Sequence, residues 1–198
     1  NHTMAFQDVL GSSYDYQKTE IGIQKRFWFS AFGYVDILAK AGKVWTKAPY
    51  PLLILPNANL SYLVQPESYT NMNAMEFIND EYASWDITYF MNGALLNRIP
   101  LIKKLKWREV FSFRGMFGHL TDKNNPFKSN NPDLFRFPTR DGKFTSFVMD
   151  PKVPYIEGSV GIYNIFKLLH VEYVHRFTYR DNPGINKNGI RFMVLMVF

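Results

Sequence analysis

The sequence predicts an all-β chain, a transmembrane antiparallel β-barrel, and three observations carry that expectation. Apolar and polar residues alternate with the two-residue period of strands that separate two environments. Aromatics make up 17% of the 198 residues (18 Phe, 12 Tyr, 4 Trp), yet mean hydropathy is only -0.21. A membrane strand needs about 9–11 residues with every second one apolar, so a barrel crosses a bilayer without a high average hydropathy. The third observation is the apolar run at residues 189–198, which places Phe192, Val194, Met196 and Phe198 on one strand face. Such a face needs an apolar partner, and lipid supplies one.

Each element follows from the alternation. Residues 1–7 read as the end of a strand. Residues 18–28 and 34–45 alternate more loosely, with Lys25 and Lys43 breaking their apolar faces. Residues 82–91 set Ala83, Trp85, Ile87, Tyr89 and Met91 against Ser84, Asp86 and Thr88. Residues 107–118 set Trp107, Phe111, Phe113 and Phe117 against Arg108, Ser112 and Arg114. Next, Ile156, Gly158, Val160 and Ile162 oppose Glu157, Ser159, Gly161 and Tyr163. Then Val171, Tyr173, His175, Phe177 and Tyr179 oppose Glu172, Arg176, Thr178 and Arg180, and Val171, Tyr173, Phe177 and Tyr179 are expected to face lipid.

The links alternate in length. Short ones at 29–33, 97–106 and 166–170 interleave with long loops at 48–81 and 119–154, and outer-membrane barrels have short periplasmic turns and long outer loops. With Phe198 at the periplasmic side, every link falls on its expected side. Aromatics cluster where strands meet turns, at Phe27, Trp28, Phe29, Phe32, Tyr34, Trp45, Trp107 and Phe166, as in an interfacial girdle. The loop 48–81 is too apolar to be left in water, with Leu52 to Leu55, Met72, Met75, Phe77 and Ile78, so it is expected to fold back over or into the barrel mouth. A soluble antiparallel barrel binding module is the alternative, with the same alternation facing a protein core.

Composition narrows the chemistry. The chain has no cysteine, which removes disulfides, thiolate metal sites and cysteine nucleophiles. The net charge of +6 is spread singly along strands and turns, so nucleic acid is not an expected partner. No run approaches the roughly 18–20 apolar residues of a membrane helix. The opening Asn1-His2-Thr3-Met4 has no basic-then-apolar leader, which suits a cleaved leader or a start inside a longer chain.

No residues form a convincing catalytic, cofactor or metal set. His170, Glu172 and His175 do not converge, because His175 points away from Glu172 on a strand. Glu157-Gly158-Ser159-Val160-Gly161 lacks the spacing of a nucleophile elbow. Asp122, Asn124 and Asn125 before Pro126 read as a turn built by Asx side chains rather than a calcium loop. What remains is positional. Arg108, Arg114, Glu157, Glu172, Arg176 and Arg191 are lumen-facing charges, expected to pair partly across strands together with Lys40, Arg180 and Asp36. Arg98, Lys103, Lys104 and Lys106 form a periplasmic basic turn beside Leu101, Ile102 and Leu105, suited to lipid phosphate or a partner.

Five stretches carry a resemblance: Gln65-Pro66-Glu67-Ser68-Tyr69, Asn73-Ala74-Met75-Glu76-Phe77-Ile78-Asn79-Asp80, Asn97-Arg98-Ile99-Pro100-Leu101-Ile102-Lys103-Lys104-Leu105-Lys106-Trp107-Arg108-Glu109, Leu120-Thr121-Asp122-Lys123-Asn124-Asn125-Pro126 and Gly161-Ile162-Tyr163-Asn164-Ile165-Phe166-Lys167. Over nearly its whole length the chain resembles the carboxy-terminal barrel of a Gram-negative outer-membrane family of unknown function, whose members usually carry a carboxypeptidase-regulatory-like domain upstream. That family is related to the surface-antigen superfamily of BamA and TamA. The resemblance implies that residues 1–198 are the C-terminal half of a 16-stranded barrel, with the other half upstream. It also implies that Phe198, Met196 and Phe192 form an insertion signal, so that deleting Phe198 impairs assembly more than stability. The superfamily's Arg-Gly-Phe loop motif has no counterpart in residues 48–81, which contain no arginine, so insertase activity does not carry over.

The expected protein is therefore a non-enzymatic resident of the Gram-negative cell outer membrane without a cofactor. Its expected role is as an accessory in assembly, translocation or surface organisation of envelope proteins, or alternatively as a passive pore or structural barrel. Expected partners are the lipid bilayer and lipopolysaccharide, the upstream half of the same barrel, and other outer-membrane proteins in a complex.

Overall fold

Each alternating segment becomes a strand in the computed structural model, which describes residues 1–8, 15–129 and 131–194. The strands are β1 (His2–Ala5), β2 (Tyr16–Trp28), β3 (Tyr34–Val44), β4 (Glu81–Met91), β5 (Arg108–His119), β6 (Thr139–Arg140), β7 (Lys143–Phe144), β8 (Tyr155–Ile165), β9 (Leu169–Arg176) and β10 (Asn188–Val194). Eight of them form one sheet in the order β1-β2-β3-β4-β5-β8-β9-β10, and β6 and β7 make a separate small hairpin inside the second long loop. Every neighbouring pair in the large sheet is antiparallel. β1 and β10 are its edges, and among the described residues the sheet is not closed. Met196 and Phe198 lie outside the described residues.

The register puts the two residue sets on opposite faces, as the alternation requires. One row on the polar face runs Asp86, Arg114, Glu157, Arg176, through the pairings Asp86↔Arg114, Arg114↔Glu157 and Glu157↔Arg176. A second row contains Ser112 opposite Ser159. The other face exposes Ile21, Ile23, Phe111, Phe113, Phe117, Val160, Tyr173, Ile190 and Phe192. A bulge between Ile162 and Ile165 ends strict alternation as β8 approaches its turn, which is how extra residues are absorbed at sheet ends.

Short and long links segregate. The turns after β2, β4 and β8 lie at one end of the sheet, and those after β1, β3, β5 and β9 lie at the other. Gly33 closes the turn between β2 and β3 at φ 94°, where an added Cβ would collide with the Phe90 carbonyl oxygen. Only glycine fits both constraints.

The two ends of the long loop between β3 and β4 fold back onto the sheet, while its middle leaves Leu60, Tyr62 and Leu63 exposed. The loop packs on the polar face at the long-loop end and builds two apolar clusters with the loop between β5 and β8. One joins Val44, Ala48, Leu53, Ile54, Ile78, Leu120 and Phe137. The other joins Tyr69, Met72, Phe77, Met116, Met149 and Tyr155. The isolated bridge Phe77↔Phe147 ties the two loops together, while Ile54↔Asn79 closes the first loop on itself. Each fully buried side chain of this size contributes about 1.5–3 kcal/mol, so the cover is an ordered part of the fold.

The structure corrects the alternation at its ends. β9 stops at Arg176, and Tyr179 takes a left-handed backbone at φ 52°. Its ring turns inward, 4.9 Å from that of Phe77, and its hydroxyl donates to the Val153 carbonyl at 2.6 Å. Tyr179 is therefore not on the exposed apolar face with Tyr173 and Phe177. The short link between β8 and β9 is also tighter than 166–170, because β9 already begins at Leu169.

Candidate functional site

The chemistry of the chain concentrates where the loop between β3 and β4 meets the polar face. Arg176 is fully buried at 0% exposure. Its Nη1 and Nη2 donate to the Glu76 carboxylate at 2.9 and 2.6 Å, a two-pronged pair across the loop boundary. The remaining guanidinium hydrogens reach the carbonyls of Asn71, Thr178 and Tyr179. A buried guanidinium is tolerable only when saturated in this way.

Glu157, one position along the same row, holds the loop through its backbone. Its carboxylate accepts from the Thr70 N–H at 2.9 and 3.1 Å, the Asn71 N–H at 3.2 Å and the Tyr155 hydroxyl at 3.0 Å. Arg191 on β10 donates to the Thr70 carbonyl at 2.7 Å. Asn71 donates from its side chain to the Val174 carbonyl, and Tyr69 donates to the Gly115 carbonyl at 3.1 Å. Residues 69–71 thus make polar contacts with β5, β8, β9 and β10. Burial pushes the Tyr69 phenol well above its usual pKa.

Of the six lumen-facing charges expected from sequence, Arg114, Glu157, Glu172 and Arg176 are buried on the polar face, and Arg191 is half-buried against the loop. Arg108 sits exposed at the short-turn rim, where it donates to Asn92 Oδ1 at 3.2 Å. Their pairing is cross-strand only in part, at Arg114 with Asp86 and, beside them, Arg26 with Asp36. Arg114 Nε lies 2.9 Å from Asp86 Oδ2, outside hydrogen-bond alignment, so that contact is coulombic. Glu172 lies 2.8 Å from His170, Asp36 takes two bonds from Arg26, Lys40 pairs with Glu67 of the loop, and Arg180 is exposed. The loop carboxylates Glu67 and Glu76 compete successfully because they arrive from above the sheet, unconstrained by strand spacing. Sequence alternation sees only in-plane neighbours and gives no signal for them.

Between the loop and β2–β5 lies a cavity of about 380 Å³ lined by Lys18, Glu20, Leu38, Lys40, Glu67, Tyr69, Tyr82, Asp86 and Arg114 among others. Its charges are paired as Lys18–Glu20, Lys40–Glu67 and Arg114–Asp86, which suits a solvated space better than a site selecting one charge. His175 bonds Asn188 and meets the Phe177 ring edge-to-face on the face opposite Glu172. Ser159 is buried, with its hydroxyl 2.5 Å from that of Ser112. Asn125 accepts from the Phe127 N–H at 3.0 Å, an Asx turn, while Asn124 bonds Asp80 and Ala48.

The basic turn is a separate feature at the opposite end. Leu96–Arg98 form a 3-10 turn and Pro100–Leu105 a one-and-a-half-turn helix, α1. Glu109, buried at the start of β5, accepts from the Leu95 and Leu96 N–H groups and fixes this turn to the sheet. Lys106 caps α1 in a left-handed conformation, and its carbonyl accepts from Asn164 at 2.7 Å.

The family model described as "Family of unknown function (DUF5686) C-terminal domain" matches residues 1–128. The chain belongs to this family. The DUF5686 C-terminal match spans β1–β5, the basic turn and the whole loop that carries Glu76, while β8–β10 lie beyond it. No curated protein and no solved structure matches the chain.

Proposed function

We propose that this DUF5686 domain is part of an outer-membrane β-barrel of a Gram-negative bacterium, acting without catalysis in assembly, translocation or surface organisation of envelope proteins. The observation that carries the reading is the inversion of the sheet: large apolar side chains are exposed on one face, while Arg114, Glu157, Glu172 and Arg176 are buried on the other. Soluble proteins rarely leave a contiguous apolar face uncovered, whereas lipid is the natural partner for this one. The segregation of short and long links supports the same orientation, with the short turns periplasmic.

The resemblance to the BamA and TamA superfamily supports assigning the missing strands to an upstream half of the same barrel, preceded by a carboxypeptidase-regulatory-like domain. The loop latched to the polar face argues against the passive pore, because it occupies the space a permanent channel requires. The outer leaflet of such a membrane makes lipopolysaccharide the lipid nearest the long-loop end. In detergent phase separation the protein is expected in the detergent-rich phase, and recovery in the aqueous phase would sink the barrel reading in favour of a soluble module. Planar-bilayer recordings should show little steady conductance, whereas large stable steps would favour the pore. Envelope proteins co-purifying with the full-length protein are the expected mark of an accessory role.

A further inference from the structure

The short-turn end of the sheet differs from the rest of the surface in charge balance. Arg98, Lys103, Lys104, Lys106, Arg108 and Lys167 all lie there, and among the described residues none takes part in an ion pair. The carboxylates nearest them are committed elsewhere, Glu109 to backbone N–H groups inside the turn and Asp36 to Arg26. At the long-loop end cations sit among carboxylates, and Lys47 pairs with Asp133, Lys128 with Asp122 and Lys43 with Glu81, although among the described residues Lys123, Lys143, Lys152 and Lys187 form no ion pair.

The same end carries exposed apolar side chains interleaved with the cations. Leu101 and Phe166 are each 80% exposed and Trp28 is 66% exposed, with Phe29, Phe32 and Leu105 beside them. α1 presents Leu101 and Leu105 four residues apart, with Lys103, Lys104 and Lys106 alongside. This alternation of grease and positive charge suits an interface between hydrocarbon and phosphate. The turn is also preorganised, since Glu109, Asn92 and Asn164 hold its backbone and Arg108 in place. Little ordering entropy remains to be lost on binding.

We infer that this end is a binding surface for anionic phospholipid headgroups, with α1 lying in the headgroup layer and its lysines on phosphate. The inference rests on the proposed barrel and names the lipid that the periplasmic rim selects. Charge complementarity chooses the occupant: uncompensated cations near a surface gain from an anionic layer and gain nothing from a zwitterionic one.

The test reconstitutes the full-length protein in phosphatidylcholine vesicles with and without phosphatidylglycerol. Each lipid retained after re-extraction into detergent is then counted by native mass spectrometry. The wild-type protein should retain phosphatidylglycerol over phosphatidylcholine by about tenfold or more. Lys103→Gln, Lys104→Gln and Lys106→Gln together should bring the ratio close to unity, and Lys→Arg at the same three positions should keep it. Leu101→Ser with Leu105→Ser should lower retention of both lipids. Equal retention by the wild type overturns the inference, as does a glutamine variant that keeps the preference. Capture of an acidic envelope protein, lost in the glutamine variant while lipid retention stays unchanged, also overturns it. Failure of the barrel reading looks different, since the protein would then not enter neutral phosphatidylcholine vesicles.

Discussion

A guanidinium with no exposed surface has only its partners to offset desolvation, and Arg176 has Glu76 and three carbonyls. Removing one partner of such a pair leaves an uncompensated buried charge and costs about 3–5 kcal/mol. Glu76→Gln and Arg176→Met should each lower the thermal midpoint and speed hydrogen exchange at Thr70 and Asn71. Glu76→Met combined with Arg176→Met should cost less than either charge-stranding single variant, because no charge is then stranded. If the double variant is the worst of the three, the pair contributes net stability beyond its own desolvation. Tyr69 gives a pH-dependent counterpart. Its pKa lies above the ordinary 10.0 because burial opposes ionisation, so the unfolded chain ionises first. The contribution is full below the unfolded-state value and is lost as pH rises from there toward the folded one. Alkaline unfolding should therefore be shallower in Tyr69→Phe, and an unchanged profile would show that the phenol is not buried in solution.

At the scale of elements, the strands were legible because side-chain period is a local property. β4, β5 and β8 follow their alternation to within a residue or two, and Ser112 and Arg114 fall on the buried face that their spacing requires. Legibility failed where geometry stopped being periodic: a left-handed residue rotates Tyr179 inward, and Glu67 and Glu76 reach the sheet from a loop whose path no pattern encodes. The loop's apolar content nevertheless predicted that it would fold back, because burial is demanded by composition even where its route is not. The face assignment is testable on β5. Phe113 is exposed at mid-strand on the apolar face, so Phe113→Arg should cost about 2–4 kcal/mol if that face meets the bilayer midplane. Ser84→Lys, projecting into the solvated cavity beside Asp86 and Glu20, should cost little. Urea titration of both variants in lipid separates the cases, and the reverse order would mean that water lies on the apolar side.

On the scale of the whole molecule, an open eight-stranded sheet has two edges, and the edges differ. β1 is short and, among the described residues, pairs only with β2. The outer edge of β10 is partly occupied by the chain itself: Phe192 donates its N–H to the Tyr62 carbonyl at 2.9 Å and accepts from the Val64 N–H at 2.7 Å, placing Leu63 in parallel register with Phe192. Unpaired strand edges recruit other strands unless something covers them, and here residues 62–64 supply that cover. In the proposed full barrel, an upstream strand must take the same backbone groups, since lipid leaves none unpaired. Closure therefore requires residues 62–64 to leave Phe192. A disulfide between Leu63→Cys and Phe192→Cys should hold the cover in place. The oxidised full-length protein should then lose the heat-modifiable migration of a closed barrel and regain it on reduction. If oxidation leaves that migration unchanged, the β10 edge is not the closing seam.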